Sequence, residues 1–314
     1  MTGSPLRLAL NVDAPGIEQA LMQGAPDIEI VRLSRNQSTD CHADAMLTPM
    51  QGSLSVPKAL ARCHGLQWVH VLGTGVDGFP FELAGDRLIT CSRGASAVPM
   101  AEWVLAMMLC FEKQLPASWM VAPPAGAFSG HLGTLEGRTL GLLGFGAIGK
   151  EIATRALAFD MRIVAKVRRH RPSPVPDVEF VESLDAVLGE ADHLVLALPA
   201  TRDSHRLLDA SRLASTRPGV HLVNVARASL LDQEALHDLL DSGHIAAASL
   251  DVAEPEPPPA GHWLYGHPRV RVSPHISWSG PKVVEKMLVK FLANLHAFRK
   301  GEPLEGLVDV TAGY

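Results

Sequence analysis

Residues 139–149 read TLGLLGFGAIG, an apolar run that breaks into three glycines with the spacing GxGxxG, and this run is the strongest structural signal in the chain. The leucines before the glycines predict a short buried strand. The residues after Gly149 predict a helix, because Ile152, Ala156 and Phe159 fall on one helical face. The stretch therefore predicts a strand, a tight turn and a helix in that order.

The three glycines have different uses in such a unit. Gly144 allows the tight turn, Gly146 lets the backbone approach a pyrophosphate, and Gly149 lets the helix pack closely on the strand. The N–H groups at the start of the helix then face the phosphates. The spacing and its flanks favour a dinucleotide-binding turn over the alternative, a glycine-rich turn that binds nothing.

Length and composition limit the class of protein. A chain of 314 residues, of which 47% are hydrophobic, can bury a large core and predicts two domains. The net charge of -5 argues against a general nucleic-acid binder, which would present a basic surface. The first residues show no basic segment followed by an apolar stretch, and no apolar run approaches the roughly 20 residues that span a bilayer. We therefore expect a cytoplasmic protein with no membrane partner.

The cysteines are scattered along the sequence, at Cys41, Cys63, Cys91 and Cys110. No CxxC pair and no cysteine–histidine spacing typical of a zinc site occurs. The cysteines are therefore interpreted as ordinary buried thiols, and the spacing predicts neither a disulfide framework nor a metal site.

Strand-like and helix-like segments alternate along most of the chain, which is typical of a doubly wound α/β protein with parallel sheets. Before the glycine turn, strands are predicted at 6–11, 28–33, 45–47, 68–72 and 88–90. After it, they are predicted at 162–167, 193–198, 221–226, 246–252 and 270–273. Together with the strand that opens the glycine turn, the second group makes six, as in a dinucleotide-binding Rossmann domain.

The last long helix, predicted at 282–298, lies beyond that set and indicates that the first domain is discontinuous. We expect residues 1–98 and 280–314 to form a flavodoxin-like substrate domain. Residues 99–279 are expected to form the Rossmann domain. Closure of the two domains over a substrate is expected to exclude water.

A nearly all-apolar helix is predicted at 99–111, and a proline- and glycine-rich arm follows at 114–133. A helix that is apolar almost all round is buried on most sides. An arm of this composition suits an extended segment better than a packed element. Together they suggest a homodimer with twofold symmetry.

Basic residues follow the predicted strand at 162–167, where a dinucleotide site often carries an acid that binds the adenosine ribose. The strand is followed at once by Arg168, Arg169, His170 and Arg171. An acid there would repel a 2′-phosphate, whereas guanidinium groups bind one through charge-assisted hydrogen bonds. The pattern favours NADP over NAD, and the alternative is a solvated exit from strand to loop.

Three polar residues follow later strands, at the edge where open α/β sheets bind ligands. Arg227 ends VNVAR, Glu256 lies in LDVAEPEP, and His275 lies in SPHISW. Singly, each has an ordinary explanation as a surface cation, a solvated carboxylate or a structural hydrogen-bond donor. Together, at successive carboxyl ends of one sheet, they are candidates for a catalytic group.

The chain is similar to the D-isomer-specific 2-hydroxyacid dehydrogenase family over nearly its whole length. The resemblance rests on GTGVD at 73–77, GRTLGLLGFGAIG at 137–149, LPAT at 198–201, VNVARASLLDQEAL at 223–236, LDVAEPEP at 250–257 and SPHISW at 273–278. It implies an NAD(P)-dependent enzyme of the glyoxylate/hydroxypyruvate reductase kind, in the NADP-preferring branch. Such an enzyme reduces a small 2-oxo acid to the D-2-hydroxy acid.

The resemblance also implies roles for single residues. Arg227 would hold the substrate carboxylate and carbonyl, His275 would be the acid/base, and Glu256 would orient and charge that histidine. The backbone of Thr74, Gly75 and Val76 would bind the substrate carboxylate, and an ordinary strand-to-helix turn is the alternative. Asp251 would bind the nicotinamide carboxamide. The expected cofactor contacts are Gly144, Phe145, Gly146, Ala147, Ile148, Gly149, Arg168, Arg169, Leu198, Pro199, Val225, Ala226, Asp251 and His275.

Elementary chemistry supports these roles. Reduction of a 2-oxo acid requires a hydride donor, a proton donor at the oxygen and a cation that fixes the carboxylate. A histidine supplies a proton near neutral pH, and a neighbouring carboxylate favours its charged form. Arginine suits a planar carboxylate because it binds as a fork.

Competing functions differ in how well they fit the sequence. A tyrosine-dependent short-chain reductase is excluded, because neither Tyr265 nor Tyr314 has a lysine at the fourth position after it. An NAD(P)-sensing, corepressor-like protein with little turnover stays open as an alternative, since such proteins resemble this family and fold alone does not fix function. Trp278, close behind His275, is either a wall of the site or a core aromatic.

Overall fold

The structure of the protein is a computed structural model, and it describes residues 5–13, 16–34, 40–50, 52–122, 130–168 and 171–314. The chain forms two compact units. Unit 1 comprises Met1–Ser96 and Gly280–Tyr314, and unit 2 comprises Ala97–Ser279. Within the described ranges, no helix combines the length and the apolar character needed to cross a membrane.

Strands and helices alternate along the chain. The strands are β1 (Arg7–Leu10), β2 (Glu29–Arg32), β3 (Cys41–His42), β4 (Ala45–Thr48), β5 (Cys63–His64), β6 (Trp68–Val71), β7 (Leu88–Cys91), β8 (Thr139–Leu143), β9 (Arg162–Lys166), β10 (Val178–Val181), β11 (His193–Leu196), β12 (Val220–Asn224), β13 (Ile245–Leu250) and β14 (Val270–Val272). The helices are α1 (Ile17–Gly24), α2 (Val56–Arg62), α3 (Ala97–Glu112), α4 (Ala147–Leu157), α5 (Leu184–Glu190), α6 (Ala210–Ala214), α7 (Gln233–Asp241), α8 (Trp263–Gly266) and α9 (Val283–Lys300).

The main sheet of unit 1 is parallel and has the order β2-β1-β4-β6-β7. Numbered along the chain, its five strands have the order 2-1-3-4-5, which is the flavodoxin-like arrangement. The core on one face includes Trp68 of β6, which is fully buried and stacks on Phe291 of α9 with ring centroids 5.3 Å apart. The last long helix therefore completes the core of the unit that contains the first strand.

The sheet of unit 2 is also parallel and has the order β10-β9-β8-β11-β12-β13-β14. Numbered along the chain, this is 3-2-1-4-5-6-7, the Rossmann order with one further strand. The prediction of a doubly wound α/β fold with a Rossmann domain is confirmed. The expectation of six strands is wrong, because β10 adds a seventh. That strand is four residues long and lies at the sheet edge. Its sequence, VEFV, lacks the extended apolar run from which a buried strand is predicted.

Two apolar layers cover the faces of the unit 2 sheet. Leu140 and Leu142 of β8 pack into the layer that contains Ile152 of α4. Leu143 packs into the opposite layer, with Val187 of α5. Each fully buried leucine stabilises the fold by roughly 1.5–3 kcal/mol relative to an exposed one. The two layers hold the strands in register and so fix the positions of the loops that follow them.

The structure corrects the prediction that Phe159 lies on the buried face of the helix after the glycines. Ile152 and Ala156 are fully buried, but Phe159 is exposed. The reason is that α4 ends at Leu157 and the chain leaves it through Asp160, which has a left-handed φ of 54°.

The interpretation of the cysteines as scattered, buried thiols is also corrected. Strands β3 and β5 pair, and this sets Cys41 opposite Cys63 with their sulfur atoms 2.8 Å apart. Burial is complete for Cys63 and Cys91 but partial for Cys41 and Cys110. Cys41 and Cys63 are therefore neighbours in space although they are 22 residues apart in the sequence.

Helix α3 is longer than the predicted helix at 99–111, and its buried side includes Met100, Val104 and Met108. The segment after it contains turns up to residue 122, and residues 123–129 of the predicted arm lie outside the described residues. Trp119, Met120 and Val121 are exposed large apolar side chains in this segment. The homodimer stays a prediction.

Candidate active site

Five neighbouring strands of unit 2 end at one edge of its sheet. Because β8, β11, β12, β13 and β14 are adjacent and parallel, their carboxyl ends form a continuous row. In the order of these strands, the residues that follow them are Gly144, then Leu198 and Pro199, then Val225, Ala226 and Arg227, then Asp251 and Glu256, and last His275. The sheet therefore brings most of the predicted site residues to one edge.

The glycine turn has the tight geometry that the motif predicts. Gly144 has a φ of 100°, and a Cβ atom there would lie 2.8 Å from the carbonyl oxygen of Ala197. A Cβ atom on Gly149 would lie 2.5 Å from the carbonyl oxygen of Gly144. Both positions therefore exclude a side chain, one because of the turn and the other because α4 lies close to β8.

The start of α4 fits a bound pyrophosphate. Gly146 caps the helix without any side-chain hydrogen bond, and no atom lies within 4 Å of the position of a Cβ atom on this residue. Gly146 and Ala147 are exposed, Ile148 is half-buried and Phe145 is buried in the core. Open space thus adjoins the N–H groups of the first turn, and a pyrophosphate there would meet backbone rather than the Phe145 ring.

Of the basic residues after β9, Arg171 contacts the glycine turn. The Arg171 guanidinium donates to the carbonyl oxygen of Phe145 at 3.4 Å and lies 5.9 Å from the centre of the Phe180 ring. Arg168 is exposed, and Arg169 lies outside the described residues, as does His170. Arg171 therefore connects the segment after β9 to the glycine turn.

The side chains of His275 and Glu256 are in contact after strands β14 and β13. The Nδ1 atom of His275 lies 3.1 Å from Oε1 of Glu256, and each side chain is 41% exposed. With Nδ1 bound to the carboxylate, Nε2 is the ring nitrogen left to exchange a proton with a ligand. The contact between Glu256 and His275 that the resemblance implies is thus present in the structure, while the catalytic roles stay predictions.

The loop that carries His275 is held by Asp251. His275 has a left-handed φ of 54°, a strained backbone conformation for a residue with a side chain. Asp251 is buried and accepts hydrogen bonds from the Ser273 hydroxyl at 2.6 Å and from the N–H groups of Ile276 and Ser277 at 2.9 Å each. These bonds stabilise the strained loop. Binding of the nicotinamide carboxamide by Asp251 stays a prediction.

Arg227 is positioned by a neighbouring asparagine. The Asn224 side chain is fully buried, accepts from the N–H of Ala226 at 3.0 Å and donates to the carbonyl oxygen of Arg227 at 2.9 Å. The guanidinium of Arg227 is half-buried and donates to the carbonyl oxygen of Ala226 at 2.6 Å. The turn after β12 is therefore fixed on both sides of Ala226.

The loop at 73–77 belongs to unit 1, where it follows β6. The Thr74 hydroxyl accepts from Ser96 at 3.5 Å, and Val76 packs into the core of the unit. Thr74 and Gly75 are half-buried. The burial of the Val76 side chain leaves this residue only its backbone for a ligand.

Sequence reasoning missed Asn224 and the bonds by which Asp251 holds its loop. Asn224 bonds to residues 2 and 3 positions away, whereas Asp251 bonds to residues 22 to 26 positions away, which only the folded sheet brings close. The signal for Asn224 is its place at the end of β12, directly before VAR. Trp278 is exposed and donates to the carbonyl oxygen of His275 at 2.9 Å, so it is not a core aromatic.

Comparisons with known proteins show which sequences and structures this chain is similar to. Residues 105–277 match the family described as D-isomer specific 2-hydroxyacid dehydrogenase, NAD binding domain. A D-3-phosphoglycerate dehydrogenase of Bacillus subtilis is 31% identical over 252 residues, which cover 76% of this chain and 46% of that protein. A hydroxypyruvate reductase of Thermotoga maritima is 37% identical over 193 residues, which cover 59% of this chain and 61% of that protein. The matches thus span about half of the length of these relatives.

A solved structure extends the likeness to the whole fold. The NADPH-dependent glyoxylate/hydroxypyruvate reductase of Sinorhizobium meliloti, in complex with NADP and sulfate, matches with a TM-score of 0.82 and 26% identity. The match covers 99% of this chain and 100% of that one. The matched domain, the similar relatives and the shared fold lead to one conclusion. The chain belongs to the D-isomer specific 2-hydroxyacid dehydrogenase family.

Proposed function

We propose that the protein is an NADPH-dependent oxidoreductase that reduces a small 2-oxo acid, of the glyoxylate or hydroxypyruvate kind, to the D-2-hydroxy acid. The observation that carries the proposal is the contact of His275 with Glu256, 3.1 Å apart at the sheet edge that also bears Arg227 and the glycine turn. Relatives named hydroxypyruvate reductase and glyoxylate reductase, 37% and 39% identical, support this substrate class.

The reduction adds a hydride to the carbon and a proton to the oxygen of one carbonyl group. The nicotinamide, when bound, supplies the hydride to C2 of the oxo acid. His275 gives a proton from Nε2 to the carbonyl oxygen, which becomes the hydroxyl group of the product. Glu256 accepts from Nδ1 of the same ring, so it orients His275 and stabilises the charge that the ring carries before the transfer.

Binding and orientation of the acid fall to Arg227. A guanidinium binds a planar carboxylate through two parallel hydrogen bonds, which fixes the orientation of the neighbouring carbonyl. The backbone of Thr74, Gly75 and Val76 is proposed to bind the same carboxylate. In this proposal unit 1 serves as the substrate domain and unit 2 as the dinucleotide-binding domain.

The proposed cofactor is NADPH. The pyrophosphate would bind at the start of α4, where the backbone is open and uncapped. Arg168 and Arg169, after β9, would bind the 2′-phosphate, and Asp251 would accept from the carboxamide. The S. meliloti reductase, in whose structure NADP is bound, supports this choice. The enzyme is proposed to be a cytoplasmic homodimer.

A second substrate has a specific observation in its favour. Relatives named D-3-phosphoglycerate dehydrogenase are 31% and 30% identical, and the second of these matches extends over 86% of this chain. The chemistry at C2 would be the same, with His275 and Arg227 in the same roles. Only the substituent on C2 would differ: a phosphorylated hydroxymethyl group instead of the hydroxymethyl group of hydroxypyruvate or the hydrogen of glyoxylate.

The test is a comparison of kcat/KM for glyoxylate, hydroxypyruvate, 3-phosphohydroxypyruvate and larger 2-oxo acids, each with NADPH and with NADH. We expect the highest value with NADPH and one of the first two acids. A higher value for the phosphorylated acid would favour the second substrate. Tight NADPH binding without turnover of any acid would overturn the enzyme proposal and favour an NAD(P)-sensing, corepressor-like protein.

A further inference from the structure

Three potential metal ligands converge on unit 2 away from the candidate active site. His237 and Asp241 are four residues apart on α7, so they lie on the same face of that helix. His267 follows the last residue of α8. The Nε2 atom of His267 lies 3.2 Å from Oδ1 of Asp241, and Nε2 of His237 lies 3.8 Å from Oδ2 of the same carboxylate.

The fold separates this cluster from the candidate active site. Asp241 ends α7 shortly before β13 begins at Ile245, and His267 shortly precedes the start of β14 at Val270. The cluster therefore lies near the amino ends of these strands, whereas Glu256 and His275 follow their carboxyl ends. The cluster and the candidate active site therefore lie at opposite ends of these strands.

The surroundings hold the two imidazoles in place and leave the carboxylate open. The His267 side chain is only 8% exposed, while those of His237 and Asp241 are 34% and 64% exposed. The Trp263 ring lies 4.4 Å from the His237 ring and 6.0 Å from the His267 ring, measured between centroids. Packing thus restricts the rings, and an ion from solvent could reach the cluster from the Asp241 side.

We propose that His237, Asp241 and His267 bind one divalent transition-metal ion, of which Zn²⁺ suits the ligands best. The three ligand atoms lie within 4.8 Å of one another. Ligand atoms on one tetrahedral zinc ion are roughly 3.3 Å apart, given bonds of about 2.0–2.2 Å, so small side-chain rotations suffice. Two imidazoles and a carboxylate form a nitrogen- and oxygen-donor set that suits zinc, and water would complete the coordination.

The hydrogen bonds within the cluster limit its affinity for a metal ion. Nδ1 of His267 accepts from the N–H of Arg269 at 3.2 Å, so the ring proton lies on Nε2 and is donated to Asp241. When a metal ion binds Nε2, this proton moves to Nδ1, and the bond from Arg269 is lost. The loss of one hydrogen bond favours a micromolar site over the much tighter sites typical of structural zinc.

The experiment is calorimetric titration of the tag-free protein with ZnCl₂, repeated with the variants His237→Asn and Asp241→Asn. We expect one equivalent of Zn²⁺ to bind, and each variant to weaken that binding by more than about tenfold. His205→Asn, which alters an exposed histidine of the same unit, serves as the matched control and should bind as the wild type does.

Two outcomes would overturn the proposal. One is the absence of saturable Zn²⁺ binding to the wild type, and the other is equal binding by the wild type and Asp241→Asn. Circular dichroism and thermal unfolding of each variant show whether it is folded, and the largely exposed carboxylate of Asp241 makes its variant the safer of the two. Because the titration requires neither cofactor nor substrate, its result is independent of the proposed enzymatic activity.

Discussion

At the scale of single residues, Glu256 offers a test of how the histidine is charged and oriented. Glu256→Gln keeps an acceptor for Nδ1 of His275 but removes the negative charge 3.1 Å from the ring. We expect kcat for oxo-acid reduction to fall by about tenfold or more, because the charged ring loses its stabilising partner. The control is Glu254→Gln, an exposed acid in the same loop whose backbone, not its carboxylate, bonds to Gln233. Equal losses in the two variants would contradict the role of Glu256.

A second prediction at this scale concerns the preference for NADPH. If Arg168 and Arg169 bind the 2′-phosphate, Arg168→Ala and Arg169→Ala will raise the KM for NADPH on the order of tenfold, because each removes a charge-assisted hydrogen bond. The KM for NADH, which lacks that phosphate, should change little. Unchanged KM values for NADPH in both variants would show that these arginines form only a solvated loop.

Single residues also show where sequence reasoning succeeds and where it fails. The roles of Gly144 and Gly149 in the turn follow from spacing alone, because the clashes that exclude a side chain arise within the motif or with the adjacent strand. The bonds of Asp251 to Ile276 and Ser277 do not follow from spacing, because they join β13 to the loop after β14. A residue whose partners lie on another strand is recognised only after the sheet is assembled.

At the scale of elements, the pairing of β6 and β7 buries a histidine that makes unit 1 sensitive to acid. His70 is fully buried between the hydroxyls of Thr90 and Ser92, at 2.8 Å and 3.0 Å. Burial lowers the pKa of His70 from 6.5 to about 4. The unfolded chain therefore binds a proton at a higher pH than the folded chain does. The stabilisation is complete above pH 6.5 and is lost as the pH falls towards 4.

The measurement for this prediction is urea unfolding at pH 7 and at pH 5 for the wild type and for His70→Gln. The free energy of unfolding of the wild type should fall by about 2 kcal/mol more than that of the variant over this interval. Other buried histidines, such as His221, whose pKa is also lowered by burial, contribute equally to both proteins and cancel. The exposed His296→Gln serves as the control. A pH dependence that is the same with and without His70 would refute the prediction.

The elements themselves were predicted unevenly, for physical reasons. The strands β8, β9, β11 and β12 are buried on both faces and have apolar runs that single them out. The edge strand β10 carries Glu179 in its middle and follows prolines, so its sequence resembles a loop. The sequence predicts too late an end for α4, because Phe159 continues the helical spacing although the helix stops at Leu157.

At the scale of the whole molecule, the chain is expected to associate as a dimer. Trp119, Met120 and Val121 are exposed, and such a run of large apolar side chains is unusual on a protein surface unless a partner covers it. Light scattering at micromolar concentration should give a mass near twice 33.6 kDa. The variant with serine at all three positions should shift the mass towards that of a monomer. A wild-type mass of 33.6 kDa would refute the expectation.

The fold of the whole chain was largely predictable, and its substrate was not. The regular alternation of strands and helices, with one glycine turn in the middle, leaves few parallel arrangements open. The proposed substrate-binding residues lie instead in loops, whose sequences show no periodic pattern.

The decisive measurement is the kcat of His275→Gln for hydroxypyruvate with saturating NADPH, beside the wild type. Tryptophan fluorescence titration should first show that the variant binds NADPH as the wild type does, since the glycine turn is unchanged. We expect kcat to fall on the order of 10²- to 10⁴-fold, the contribution typical of a general acid. A kcat/KM near the wild-type value would contradict proton transfer by His275 and, with it, the proposed reduction at this sheet edge.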